Sequence, residues 1–249
     1  MAVGDAVWPG WGRADIPAIL YNESYAFLRP FFPYRLFIGQ LVSGSDQYIS
    51  ALAHEAFHAY QESSIPEKFA AAERVNTFEN MYPCDEPSFQ ADWQAELEML
   101  ARALRSTDRQ ETLELMQQFI QLREASRERA GFSAELITYE QNREWLEGLA
   151  RYAELEIWRQ AYFQTYAPIP ETKALPDFNS YAGIESRWSS EIGQMTRMAK
   201  DEGDGRFYYS GMAQAFLLDR FSADWKSKAF EQGVWLEDLL AEAVQVSQR

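Results

Sequence analysis

The sequence predicts a mainly α-helical α+β fold in a single domain, residues 1–249. Three observations predict it. Apolar residues make up 47% of the chain, with 16 Phe, 13 Tyr and 8 Trp, enough for one sizeable core. Helix-period patterns fill most of the chain after residue 45. The first 44 residues instead alternate short β-prone runs with proline and glycine turns, which predicts a small N-terminal β-sheet.

In the β-rich N-terminal part, 1–44, Trp8-Pro9-Gly10-Trp11 reads as a turn with large anchors. Ile16 to Tyr21 and Ser24 to Leu28 read as a hairpin joined at Asn22-Glu23. Pro30 and Pro33 break the chain, and Arg35 to Val42 is a further β-prone run that leads into a helix. That helix begins near Asp46, with Ser45 as N-cap, and runs to about Ser63, before Pro66. Helical patterns follow at 88–105, 109–129 and 133–164, separated near Pro87, Ser106-Thr107-Asp108 and Gly131. Residues 45–165 thus form the part that carries the active-site helices. The 109–129 stretch, rich in Arg, Glu and Gln, reads as a solvated face. Residues 167–183 are a proline-rich loop. Helices resume at 184–200, 208–221 and 234–247 in a C-terminal helical part, 184–249.

Composition narrows the function. A formal net charge of -15 argues against nucleic acid or an anionic membrane as partner. The single cysteine, Cys84, excludes an internal disulfide and a cysteine-based metal site. No apolar run approaches the roughly 18 residues of a spanning helix, and no basic segment followed by an apolar core marks a signal peptide. The expectation is a soluble chain of open localisation, since Met1-Ala2-Val3-Gly4-Asp5 also fits a trimmed mature form behind an added methionine.

The chain's two histidines fall four apart in His54-Glu55-Ala56-Phe57-His58. On a helix, residues i and i+4 share a face. Two imidazoles on one face can hold one Zn2+ ion, and Glu55 between them can act as general base on a zinc-bound water. A catalytic zinc takes three protein ligands and keeps a position for water. With no third histidine, the third ligand must be a carboxylate from a later helix. Glu147, Glu154 and Glu156 are the candidates. On a regular helical wheel Glu147 falls on the polar side, where it would pair with Arg151, while Glu156 falls in the apolar arc.

The stretch Glu144-Trp145-Leu146-Glu147-Gly148-Leu149-Ala150-Arg151-Tyr152 resembles the Glu-Gly-x-Ala-x-Tyr string of the gluzincin metallopeptidases, zinc peptidases with two His ligands and one Glu. The resemblance rests on this segment and on the His54–His58 motif. It implies a zincin-like domain, a peptide or protein substrate, and Glu147 as third ligand. The chain departs from the thermolysin-like pattern, which places an aspartate four residues after the ligand glutamate to orient a histidine. Here that position is Arg151, so the orienting carboxylate must come from elsewhere, such as Glu144 or Glu96. Gly148 would remove side-chain bulk where the Glu147 helix crosses the motif helix.

Hydrolysis at zinc also needs a donor for the developing oxyanion. Tyr209 and Tyr208, which open a late helix after Gly203-Asp204-Gly205, are the first candidates, with Tyr152 a third. Arg35–Val42 can serve as an edge strand for an extended peptide. The expected function is a zinc-dependent peptidase. Its rivals are a non-catalytic helical binding protein with a degenerate or structural zinc site, and a zinc hydrolase of non-peptide amides or esters.

Overall fold

A computed structural model describes residues 44–163, 167–200 and 204–247. Its long helices are α1 (Ser45–Ser64), α2 (Pro66–Arg74), α3 (Pro87–Arg105), α4 (Arg109–Arg129), α5 (Ala134–Arg143), α6 (Leu149–Phe163), α7 (Ile184–Gln194), α8 (Gly205–Phe221) and α9 (Leu236–Ser247). Single helical turns occur at Pro170–Lys173 and Trp225–Lys228. Tight 3-10 segments, Val75–Met81 and Met195–Lys200, continue α2 and α7.

The expectation of an α+β zincin-like domain is corrected. No strand occurs among the described residues, and the fold they build is all-helical. The proposed N-terminal sheet, including Arg35–Val42, lies outside the described residues. The helical stretches keep close to their sequence boundaries, with α2 an addition after Pro66. Pro66 and Pro87 open α2 and α3 at positions where a missing N–H costs nothing. Asp108 caps α4 by accepting the Glu111 N–H at 2.7 Å. Gly131 stops that helical run at φ 63°, a left-handed value that favours glycine. At α1 the N-cap is Gly44, because the Ser45 hydroxyl donates to Asp177 at 2.6 Å instead of capping the helix.

Apolar faces explain the packing. Phe89, Trp93, Leu97 and Leu100 line one side of α3 and join Leu113, Met116 and Phe119 of α4, with Leu217 and Leu218 of α8 and Leu240 of α9. The α4 helix is therefore more than a solvated face: besides those apolar residues it buries Arg123, which binds Glu96 at 2.9 Å and Glu144 at 2.7 Å.

Between α5 and α6 the helix does not break but widens. Glu144–Gly148 form a π-helical turn. At its last residue this turn crosses α8 at backbone contact: a Cβ on Gly148 would lie 2.5 Å from the Gly211 Cα. Gly148 thus serves the crossing with α8 and not the one with the motif helix. At the start of α8, Tyr208 stacks against His54 of α1.

Candidate metal centre

The buried face of α1 is polar from end to end. Asp46, Ser50, His54, His58 and Gln61 point inward. Tyr48, Leu52 and Tyr60 point outward. A helix that docked only by hydrophobic burial would show the reverse pattern, so the polar face needs its own explanation. Part of it is structural. Asp46 accepts the backbone N–H groups of Asn179 and Tyr181 at 2.7 and 2.6 Å.

The middle of that face meets Glu147. His54 Nε2 and His58 Nε2 each lie 3.5 Å from the same oxygen, Glu147 Oε2. The two imidazoles stand edge to face with centroids 4.9 Å apart. One ligating atom from each of the three residues falls within 4.8 Å of the others, and all three residues are buried. This group can hold a metal ion, and it is the one cluster of three such residues among the described residues.

Glu147 is not a surface residue paired with Arg151. It is 1% exposed, and its Oε1 accepts from Arg143 at 3.0 Å. Arg143 also pairs with Asp204, just before α8. Oε2 has no hydrogen-bond donor. At 3.5 Å both imidazole contacts exceed the usual N–H···O length of roughly 2.7–3.2 Å. A buried carboxylate oxygen with no donor is costly unless a cation sits on it. Burial would raise the Glu147 pKa, yet His54, His58 and Arg143 together hold it well below the carboxylate range. Burial would lower that of His58, yet Glu147 and Gln61 push it up.

Glu55 sits half-buried on the adjoining face of α1. Burial raises its pKa first, His54 and His58 oppose this, and Glu147 and Glu154 add to it. Tyr208 lies parallel to His54, with ring centroids 5.6 Å apart and planes 8° apart. Burial and the Glu147 carboxylate push its hydroxyl far above the ordinary tyrosine value. Tyr209 turns elsewhere and donates to Glu191 at 2.8 Å. Tyr152 donates to Asp219 at 2.7 Å.

The alternative ligands are placed just as clearly. Glu154 Oε2 comes 3.9 Å from His54 Nδ1, on the side of the ring away from Glu147, and is held by Arg151 and Arg187. Glu156 is taken up by Arg159 and Gln160. Glu144 and Glu96 bind Arg123 instead of orienting a histidine.

That orienting role at His58 belongs to a residue the sequence reading passed over. Gln61 Oε1 lies 3.0 Å from His58 Nδ1. Its signal was available: a polar residue three positions after His58, on the histidine face of the helix. Compared with protein-family models, curated proteins and solved structures, the chain matches none.

Proposed function

We propose that this chain is a zinc-dependent hydrolase of peptide bonds. One observation carries the reading: two buried imidazole nitrogens converge at 3.5 Å on a single carboxylate oxygen that lacks a donor. A tetrahedral zinc ion with bonds of about 2.0–2.1 Å sets its ligand atoms about 3.3–3.4 Å apart. The two 3.5 Å edges come close to that spacing, within a triad whose ligating atoms all lie within 4.8 Å. Two imidazoles and a carboxylate also form a known catalytic zinc set, which leaves the fourth position for water.

His54, His58 and Glu147 would hold the ion. When bound, zinc supplies Lewis acidity towards a water molecule and the scissile carbonyl. Glu55 takes the proton of the attacking water and returns it to the leaving amine. Tyr208 donates its hydroxyl hydrogen to the carbonyl oxygen as charge develops there. Its upward shift keeps that hydrogen in place across the working pH range. Tyr209, tied to Glu191, is left out of this role.

Glu55→Gln is the decisive variant. It should retain zinc in metal analysis while losing hydrolysis across a fluorogenic peptide library. Undiminished hydrolysis by that variant would overturn the mechanism.

A further inference from the structure

Gln61 is fully buried one turn beyond His58, and its amide faces two ways. Nε2 donates to the Trp145 carbonyl at 2.9 Å and the Leu146 carbonyl at 3.3 Å. Carbonyls only accept, so the NH2 end of the amide must face them. The oxygen end therefore faces His58. Two acceptors do not bond to each other, so the hydrogen between them belongs to His58 Nδ1. The lone pair of the neutral ring is then on Nε2, the atom that looks at Glu147 Oε2.

The other end of the amide matters as much. Trp145 and Leu146 lie in the π-helical turn Glu144–Gly148 that carries Glu147. Where a helix passes from i+4 to i+5 bonding, a carbonyl at the junction loses its usual partner and needs an outside donor. Gln61 supplies one. A single side chain on α1 thus touches one imidazole and the backbone just before the carboxylate.

We propose that Gln61 is the positioning residue of the metal centre. It fixes the tautomer that presents His58 Nε2, and it pins the widened turn that presents Glu147. The motif on α1 is then His54-Glu55-x-x-His58-x-x-Gln61, with the last position serving a helix 84 residues away. The inference rests on the metal-binding reading of the cluster but not on any particular substrate.

The test uses two variants of the full chain. Gln61→Met keeps the volume and removes all three hydrogen bonds. Gln61→Glu keeps an acceptor for His58 Nδ1–H but removes the donor to the two carbonyls. Three readouts apply: nitrogen chemical shifts of the His58 ring in chelator-treated protein at alkaline pH, zinc affinity by chelator competition, and the absorption spectrum of the cobalt(II) form.

Wild type should show the Nδ1–H tautomer. Gln61→Met should show a tautomer mixture and zinc affinity lowered about 10- to 100-fold. Gln61→Glu should keep the tautomer, yet bind zinc more weakly than wild type with an altered cobalt spectrum. If Gln61→Met does not fold, the Gln61→Glu pattern carries the test alone. Variants with wild-type tautomer, affinity and spectrum would overturn the proposal while leaving the metal site standing. A wild type that binds no zinc, but whose His58 tautomer is lost in Gln61→Met, would overturn the metal reading and support the positioning of His58.

Discussion

Two buried polar clusters meet the π-helical turn, one through Glu144 and one through Glu147, and they are built differently. Around Arg123 and Arg127, carboxylates and guanidinium groups pair with one another, and among the described residues there only Arg123 Nη2 and Gln214 Oε1 are left over. Glu144 accepts from Arg123, Ser210 and Gln214, and Glu237 accepts from Arg123, Arg127 and Gln141. Burial would raise the Glu237 pKa, but Arg127 and Arg123 hold it down to about 2, while at Glu96 burial outweighs Arg123 and pushes the carboxyl up to about 7. Around His54 and His58, by contrast, two imidazoles share one oxygen at distances too long for good hydrogen bonds, and that oxygen has no donor. The first cluster supplies its own positive charge. The second leaves room for one from outside. Similar burial of charge thus marks a structural joint in one place and, in the other, a group that can hold a metal ion.

The largest expected effect breaks the closed cluster. Arg123→Met leaves Glu96 and Glu144 buried without their cation, which should cost about 3–5 kcal/mol in urea unfolding. Zinc stoichiometry should stay that of wild type, because Arg123 touches no residue of the metal centre. A variant that loses zinc while remaining folded would show that the two clusters are one. Next comes the open cluster. Zinc at 100 times its Kd should stabilise wild type by about 2.7 kcal/mol through linkage. A chelator should remove that increment, and His58→Ala should abolish it. The same increment in His58→Ala would place the ion elsewhere.

These two clusters were unequally legible in the sequence. His54, Glu55 and His58 could be read because their relation is local, one turn of one helix. Glu147 could not be placed by periodicity. A wheel at 3.6 residues per turn sets it beside Arg151 on a polar face, but the π-helical turn widens the helix at that very residue and swings it inward, to Arg143. Resemblance to a known motif pointed at it; the spacing did not. The solvated reading of 109–129 holds for most of its charged residues but misses Arg123, for a related reason. Arg123 looks like surface charge until its partners arrive from Glu96, Glu144 and Glu237, on three other segments. Helix boundaries were far easier, since prolines, glycines and Asp108 mark them within a few residues.

A smaller effect tests how the open cluster is shaped. Alanine at Gly148 would bring its Cβ against Gly211 backbone at 2.5 and 2.8 Å, so α8 must move. Overpacking of this kind costs about 1–3 kcal/mol. Zinc affinity should fall with it, because Glu147 is the adjacent residue and Tyr208 rides on α8. Gly193 is an exposed helical glycine with open space around its Cβ, and Gly193→Ala should be neutral or mildly stabilising, by up to about 1 kcal/mol. Equal melting of the two variants would remove the close crossing from the account.

The smallest effect is a slope, and it sharpens the contrast most directly. His58 has its folded pKa raised above the ordinary 6.5, so its pairing with Glu147 contributes in full below about pH 6.5 and is lost as pH rises through the folded value. Glu147 is depressed below 4.5, so its contribution is present above that pH and lost as pH falls through the folded value. Without metal, the cluster is therefore most stabilising between those two limits. Zinc reverses the upper one, since it needs His58 Nε2 free of its proton. The stabilisation due to zinc should grow with pH by up to about 1.4 kcal/mol per unit for each proton displaced, until His58 is fully deprotonated. Urea unfolding at pH 6, 7 and 8, with chelator and with saturating zinc, reads the difference directly, and groups outside the cluster cancel. Parallel slopes in the two series would mean that the ion and the imidazolium proton do not compete for the same nitrogen, and the open cluster would then have to be read as a closed one.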